Sequence, residues 1–454
     1  MSMEPAWRGT KVTVLGAGRS GRSAVKLLQS LGATVFISDQ GRPGPDIMRW
    51  LEDSGCAFET AGHTPRALEA ELMVISPGVR GDSPIILKAK ERGIEVIGEI
   101  EMAYRAAKAK IVAVTGTNGK STTTSMIGSI LNRSGRRCLI GGNLAPGRPL
   151  CQLVLEAGPD DIIAAEVSSF QLESIKSFRP RVAVITNITE DHLDRHPDLA
   201  SYARAKARIL ENQQADDFAV INALDQNTAK FCRPRGRILQ FGMKEASGRG
   251  AWCDGRELYL LEEQRIPVIK VDGLGLFGRH NIENALAAIC AARALGCAPE
   301  PMAEALSEFK GIPHRLEKVA VVRGVTYINN SMCTNPAAGA SSLEAMAGPV
   351  VVIAGGREKG LDMGPYLKAI ARRAEAAILI GESRPAMESG LRLLGYEKIF
   401  PAADLVAAVR TAAGMAGPGG TVLFSPGCSS FDMFPDFEAR GQAFKQAVRD
   451  LEKI

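Results

Sequence analysis

Short apolar runs recur along the chain, most of them closed by glycine or a polar residue, and between them apolar side chains return at helical spacing. That alternation predicts an α/β protein built of three successive units. In the first, residues 11–15 read as a strand. Gly16-Ala17-Gly18-Arg19-Ser20-Gly21 follows, then a helical stretch from Ser23 to Leu31, which Gly32 ends as a left-handed residue. A second strand, from Thr34 to Ser38, delivers Asp39, and another, from Leu72 to Ser76, ends in Pro77-Gly78. Strand, G-x-G-x-x-G, helix, strand and acid form a dinucleotide-binding fingerprint. Glycine-rich first turns serve many phosphate ligands, so NAD(P) is one reading and a different nucleotide the other. This unit is expected to span residues 1–106.

A helix rich in alanine and lysine, from Glu99 to Lys108, leads into the strand Ile111-Val112-Ala113-Val114-Thr115. Behind it Met126, Ile127, Ile130 and Leu131 recur at helical spacing, and Gly135 supplies the stop. Apolar strands are predicted at 161–165 and 181–186, and small antiparallel strands in the segment 232–270. Gly311-Ile312-Pro313 reads as a hinge-like break, so the central unit is expected over 107–312. The last unit, 313–454, alternates strands and helices, with strands predicted at 326–329, 349–354, 376–380 and 421–425. Three of these end in polar or glycine-rich turns: Asn329-Asn330-Ser331, Gly355-Gly356-Arg357-Glu358-Lys359 and Ser425-Pro426-Gly427-Cys428-Ser429-Ser430. Ligands bind outside the carboxyl ends of strands in open α/β sheets, although such turns also serve as plain connections.

Composition narrows the class. With 454 residues, 45% hydrophobic and 23% charged, the chain is an ordinary multidomain globular protein. A net charge of +5 without a dense basic run suits acidic small molecules better than a nucleic-acid track. The 9 cysteines contain no C-x-x-C pair, which points to reduced thiols in a cytoplasm, not to zinc or a disulfide framework. The N-terminus has no signal-peptide pattern, and apolar runs are strand-sized, so no membrane span is expected.

Candidate chemistry concentrates at strand ends. After Thr115 comes Gly116-Thr117-Asn118-Gly119-Lys120-Ser121-Thr122. Glycines let backbone N–H groups converge on phosphate oxygens, Lys120 adds a cation, and the Ser121 hydroxyl suits Mg²⁺. The two glycines are closer than in the usual P-loop, and a tight Asn-Gly turn before a helix is the plainer alternative. Glu166 ends the apolar run 162–165, where a carboxylate is costly unless paired or bound to a cation, the plainer alternative being that it emerges at the strand end into water. The turn after 181–186 carries Glu190, Asp191, His192 and Asp194, with His192 either a ligand or an exposed loop residue. In the helical segment 199–210, Tyr202, Lys206, Ile209 and Leu210 share one face, while Arg204 and Arg208 lie on another that is expected to meet solvent. Lys206 therefore points inward, where a lysine must find an anion, lose its proton, be modified or snorkel to the rim.

Together, Thr115-Gly-Thr-Asn-Gly-Lys-Ser-Thr, Glu166-Val-Ser-Ser-Phe-Gln-Leu, Asn187-x-Thr-x-Asp-His-x-Asp-Arg, His280-Asn281-x-x-Asn284-Ala and Pro313-His314-Arg315 resemble the Mur ligases of peptidoglycan synthesis, over essentially the whole chain. The Lys120-Ser121-Thr122 ending, the run Ser168-Ser169-Phe170-Gln171-Leu172-Glu173 and the C-terminal Phe431-Asp432-x-Phe434-x-x-Phe437-Glu438-x-Arg440-Gly441 resemble the branch that joins D-glutamate to UDP-N-acetylmuramoyl-L-alanine. The resemblance implies a Rossmann-like UDP-binding domain, a central P-loop ATPase-like domain with a mostly parallel sheet, and a Rossmann-like amino-acid-binding domain. It implies a monomeric cytoplasmic ATP-dependent ligase that passes through an acyl phosphate, with no nucleic acid or membrane as partner. Lys120 would hold the terminal phosphates of ATP within the loop 116–122. Ser121 would bind one Mg²⁺, and Glu166, His192 and a carbamylated Lys206 a second. Asn281, Asn284, His314, Arg315 and Asn330 would surround the nucleotide. Ser20, Asp39 and Gly78 would meet UDP, Asn143 and Ser168 the rest of that substrate, and Thr334, Lys359, Ser430, Phe431 and Phe437 the glutamate. One motif departs from the family pattern: Asn330 replaces an aspartate and Met332 a lysine, which puts acceptor identity and nucleotide contacts there in question. Rival readings are a folylpolyglutamate synthase-like ligase, an NAD(P)-dependent oxidoreductase resting on residues 16–21 and 39, and a P-loop ATPase or nucleotide-dependent binding module.

Overall fold

The computed structural model describes residues 7–144, 147–191, 195–245, 248–276, 278–358 and 360–452, so His192 and Lys359 lie outside the described residues. Two compact units emerge, Met1–Phe309 and Lys310–Ile454. None of the described helices is long and apolar enough to cross a membrane.

The first unit holds two sheets. One comprises β1 (Lys11–Leu15), β2 (Thr34–Ser38), β3 (Ala57–Glu59), β4 (Leu72–Ile75) and β5 (Glu95–Gly98) in the order β3-β2-β1-β4-β5, all parallel. The second has nine strands: β6 (Lys110–Thr115), β7 (Cys138–Gly142), β8 (Ile162–Glu166), β9 (Val182–Ile185), β10 (Phe218–Asn222), β11 (Arg237–Gly242), β12 (Gly250–Cys253), β13 (Glu257–Leu261) and β14 (Arg265–Lys270), ordered β14-β13-β12-β11-β10-β9-β6-β8-β7. Helices cover both faces of the parallel portion, which is why its strands read as continuous apolar runs and not as alternating ones. Val12, Ile100, Leu153, Ile163 and Phe178 belong to one buried cluster, so packing is continuous past helix Glu99–Ala106. A second cluster lies under helices Lys120–Arg133 and Arg279–Ala294, where Ile127, Leu286 and Ile289 are fully buried.

The expectation for 232–270 needs correction. β11 runs parallel to β10, and β12 parallel to β11; only the β12–β13 and β13–β14 pairs are antiparallel. Short apolar runs state that a strand forms but not its direction, which the connection decides. Arg208 also differs from expectation. It is half-buried and donates to the carbonyls of Leu172 and Ile175, each at 2.8 Å, because helix Ser169–Leu172 leaves its last carbonyls unpaired.

A buried acid ties the two sheets' elements together. Glu101, on helix Glu99–Ala106, is 0% exposed and accepts the N–H groups of Lys176, Ser177 and Phe178 as well as Arg105 Nε. Burial opposes its ionisation, but these donors outweigh burial and hold its pKa below the ordinary carboxylate value. Glu101→Ala strands three backbone donors and is expected to cost about 3–5 kcal/mol, measured as a lower midpoint in urea unfolding. An unchanged midpoint would show that water replaces the carboxylate.

The second unit is one sheet, β15 (Glu317–Val322), β16 (Val325–Asn329), β17 (Val350–Gly355), β18 (Ala374–Ile380), β19 (Ile399–Pro401) and β20 (Thr421–Phe424), ordered β15-β16-β20-β17-β18-β19. All neighbours are parallel except the β15–β16 hairpin, whose first strand the sequence pattern did not announce.

Candidate active site

β6 stops at Thr115, and residues 116–119 turn the chain into helix Lys120–Arg133. Gly116 (φ 144°) and Gly119 (φ 82°) both take left-handed backbone. Neither tolerates a side chain: a Cβ at Gly116 would lie 1.9 Å from Thr186 Oγ1, and one at Gly119 only 2.1 Å from Asn284 Oδ1. The first N–H groups of the helix have no intrahelical acceptor and face the loop, which favours anions.

The turn after β9 grips this loop. Asn187 Oδ1 accepts the Asn118 N–H at 3.0 Å, and Asn187 O accepts the Thr117 N–H at 2.9 Å. Thr186 Oγ1 donates to Asn118 O at 2.7 Å, while Thr117 and Thr189 exchange two bonds through the Thr117 hydroxyl. Sequence reasoning valued this turn for its acids and histidine. Of the residues that shape the loop, Asn187 and Thr189 lie in the quoted motif and Thr186 immediately precedes it, and none carries a titratable signal.

Strands β6, β7 and β8 lie side by side, with Glu166 opposite Val114 and Gly142. That register brings three predicted residues together. Glu166, 4% exposed, accepts from Ser121 Oγ at 2.5 Å and from Asn143 Nδ2 at 3.0 Å. Among the described residues no lysine or arginine nitrogen lies within 4 Å of its carboxylate. Lys206 reaches the loop from helix Leu199–Ala207: it is 1% exposed, sits 4.5 Å from the Tyr202 ring centre, and donates to Gly116 O at 2.7 Å. Burial, reinforced by Lys120, pulls its pKa down to about 7 against the opposing pull of Asp191 and Glu166. Lys120 Nζ donates to Thr117 O at 2.7 Å. Asn284, buried in helix Arg279–Ala294, accepts from Thr123 Oγ1 and donates to Asn281 Oδ1, each at 3.3 Å, so Asn284 stands beside Gly119 with Asn281 bonded to it. Thr122 is half-buried on the first turn of its helix.

The residues expected to meet UDP follow the ends of β1, β2 and β4. Asp39 accepts the N–H of Ala17 at 2.6 Å and of Gly41 at 2.8 Å, so its carboxylate is engaged by the glycine loop itself. Ser20 is half-exposed on the first helix, and Gly78 is exposed in the turn after β4. Ser168 forms a capping box with Gln171, which occupies its hydroxyl.

In the second unit, His314 (φ 63°) is 3% exposed and its Nδ1 accepts from Asn329 Nδ2 at 3.0 Å. Asn330, 6% exposed, accepts the Leu316 N–H at 3.2 Å and donates to Ser425 Oγ at 3.3 Å. Both side chains are turned into their own unit, whereas Arg315 is exposed. Ser430 is buried, Thr334 and Phe437 are half-buried, and Phe431 is exposed near the carboxyl ends of β16 and β20.

Family models match in matching order: the Mur ligase MurD-like N-terminal domain over residues 10–98, the Mur ligase middle domain over 114–292, and the Mur ligase glutamate ligase domain over 314–428. The chain is 44% identical to the UDP-N-acetylmuramoylalanine–D-glutamate ligase of Pelotomaculum thermopropionicum, covering 98% of both chains. It is 40% identical to the enzyme of the same name from Caldanaerobacter subterraneus, covering 98% of this chain and 99% of the relative. The chain belongs to the Mur ligase family.

The Mur ligase fold recurs in solved structures at lower identity. The UDP-N-acetylmuramate-alanine ligase MurC of Thermotoga maritima aligns with a TM-score of 0.54 at 22% identity, over 97% of this chain and 99% of that one. The MurF ligase of Thermotoga maritima in complex with ADP aligns with a TM-score of 0.52 at 17% identity, over 98% and 96%. For this Mur ligase the loop geometry makes a direct prediction. Gly119→Ala forces Asn284 off the loop and strains the backbone, so ATP turnover should fall roughly 10²-fold while the fold persists. Steady-state kinetics with matched circular dichroism checks it.

Proposed function

We propose that this chain is the ATP-dependent ligase that joins D-glutamate to UDP-N-acetylmuramoyl-L-alanine in peptidoglycan precursor synthesis, acting as a cytoplasmic monomer. The observation that carries the reading is the gathering of Ser121, Glu166 and Lys206 around one phosphate-type loop, in a chain that matches ligases of that name along 98% of its length.

The chemistry follows from the parts. The loop N–H groups and Lys120 bind and align the ATP phosphates, so that the γ-phosphoryl group passes to the substrate carboxylate. The resulting acyl phosphate is attacked by the amine of glutamate, and phosphate leaves as the amide forms. Asn281 and Asn284 would contact the nucleotide at the loop, and within the second unit Thr334, Ser430, Phe431 and Phe437 would position the glutamate.

Mg²⁺ fits the donor set. Ser121 and Glu166 are hard oxygen donors, and a buried carboxylate with neutral hydrogen-bond partners favours a cation. Two Mg²⁺ sites are proposed, one using Ser121, the other Glu166, His192 and Lys206; bound there, the ions neutralise charge on the transferring phosphoryl group. With its pKa near 7, Lys206 is partly neutral at physiological pH, and its free amine can add to CO₂, releasing one proton and leaving an anionic carbamate.

Acceptor choice is the finer point, since Asn330 and Met332 stand where the family pattern has an acid and a base. Purified protein supplied with ATP, UDP-N-acetylmuramoyl-L-alanine and single amino acids should yield a mass increase for D-glutamate and none of comparable rate for L-glutamate. Equal or preferred use of L-glutamate or another amino acid would replace the acceptor assignment while leaving the ligase chemistry in place.

A further inference from the structure

Arg440 lies in the first turn of helix Phe437–Leu451, and its side chain is 0% exposed. Nε donates to Ser331 Oγ at 3.1 Å, Nη2 to Ser331 O at 2.8 Å, and Nη1 to Cys428 O at 3.1 Å. Nη1 also lies 3.2 Å from where a Cβ at Gly356 would sit. One guanidinium thus touches the turns that follow β16, β17 and β20.

All of these partners are neutral. Among the described residues no carboxylate comes within 4 Å of Arg440; Asp432 lies beyond that range and accepts the Glu382 N–H at 2.9 Å. Burial draws the Arg440 pKa down to about 10, so it remains a cation at neutral pH. A buried cation without an anion is costly, and a chain that only needed packing there would do better with an apolar side chain.

Its location suggests what the charge serves. The helices that follow β16 and β17, Pro336–Glu344 and Gly364–Arg373, contribute Leu343, Leu367 and Ile370 to the core on one face of the sheet. The helix after β20 contributes Phe444 and Val448 to the core on the other face. Connections therefore leave β20 and its neighbours in opposite directions, which opens a ligand crevice at their carboxyl ends. Arg440 ties together the turns at that end of the sheet. Ser331 Oγ, which receives its Nε–H, donates onward to Phe437 O at 2.8 Å, and Cys428 O lies two residues before Ser430.

We propose that Arg440 is the positioning residue of the acceptor site: it locks the turns at Ser331, Gly356 and Cys428 into one wall and lends that wall a positive charge complementary to a dicarboxylate amino acid. The proposal rests on the amide-ligase reading. Its test is steady-state kinetics of Arg440→Met and Arg440→Lys, varying ATP, the UDP-linked substrate and D-glutamate in turn. Arg440→Met should raise the acceptor KM about tenfold or more, with the KM of ATP and of the UDP-linked substrate within about twofold. Arg440→Lys keeps the charge but cannot span three turns, and should raise the acceptor KM at least about threefold. If Arg440→Met does not fold, the lysine variant decides on the same criterion. An acceptor KM unchanged in the lysine variant, or a uniform loss across all substrates with a lowered Tm, overturns the proposal. If the wild-type protein forms no amide, the ligase reading fails first and this inference with it; if it does, failure of the variants to shift the acceptor KM removes Arg440 alone.

Discussion

Lys206→Ala will lose ligase activity on the order of 10³-fold without losing its fold, and short carboxylates such as acetate will restore part of it. The side chain enters from helix Leu199–Ala207, is almost fully buried, and ends at Gly116 O in the phosphate loop. Two roles compete for it. A plain lysine there anchors the loop by one hydrogen bond; a carbamylated one supplies an anionic oxygen ligand. Lys206→Arg separates them, because arginine keeps a cationic donor but forms no carbamate. The carbamate role predicts that arginine is as inactive as alanine, that added carboxylate rescues alanine, and that bicarbonate-depleted wild type loses activity reversibly. Activity in Lys206→Arg near the wild-type level would leave Lys206 as a loop anchor only.

Glu166→Gln is the second large effect. Glutamine nearly matches the shape of the buried side chain, and Ser121 and Asn143 can still hydrogen-bond to it. Unfolding midpoints should therefore stay close to the wild type, or rise slightly as a buried charge is removed. Turnover should nonetheless fall on the order of 10²–10³-fold, and more Mg²⁺ should be needed to reach half of the remaining rate. Loss of stability in step with activity would mark Glu166 as structural instead.

What the sequence made legible was local. Gly116 and Gly119 sit where a strand becomes a helix, and the i, i+4, i+7 and i+8 spacing of Tyr202, Lys206, Ile209 and Leu210 puts the lysine inside; all four are buried. Glu166 at the end of an apolar run was readable for the same reason. What stayed hidden depended on long-range pairing. Nothing in the local pattern says that β11 and β12 run parallel to their neighbours, that Asn187 clasps Asn118, or that Glu101 collects donors some 75 residues away. Arg440 shows the limit most sharply. An arginine in an amphipathic helix reads as solvated, and only the sheet order, which brings β20 between β16 and β17, encloses it. Asn330 was singled out as a departure from a motif, and its bonds to Leu316 and Ser425 show a substituted position holding its own unit together.

This site is proposed to couple ATP cleavage to amide formation between UDP-N-acetylmuramoyl-L-alanine and D-glutamate. Phosphate release from ATP should be measured with UDP-N-acetylmuramoyl-L-alanine and D-glutamate, each omitted in turn. One phosphate should be released per amide formed, with only background release when either partner is missing. Sustained phosphate release without the amino acid, or turnover only with a folate substrate, would contradict it.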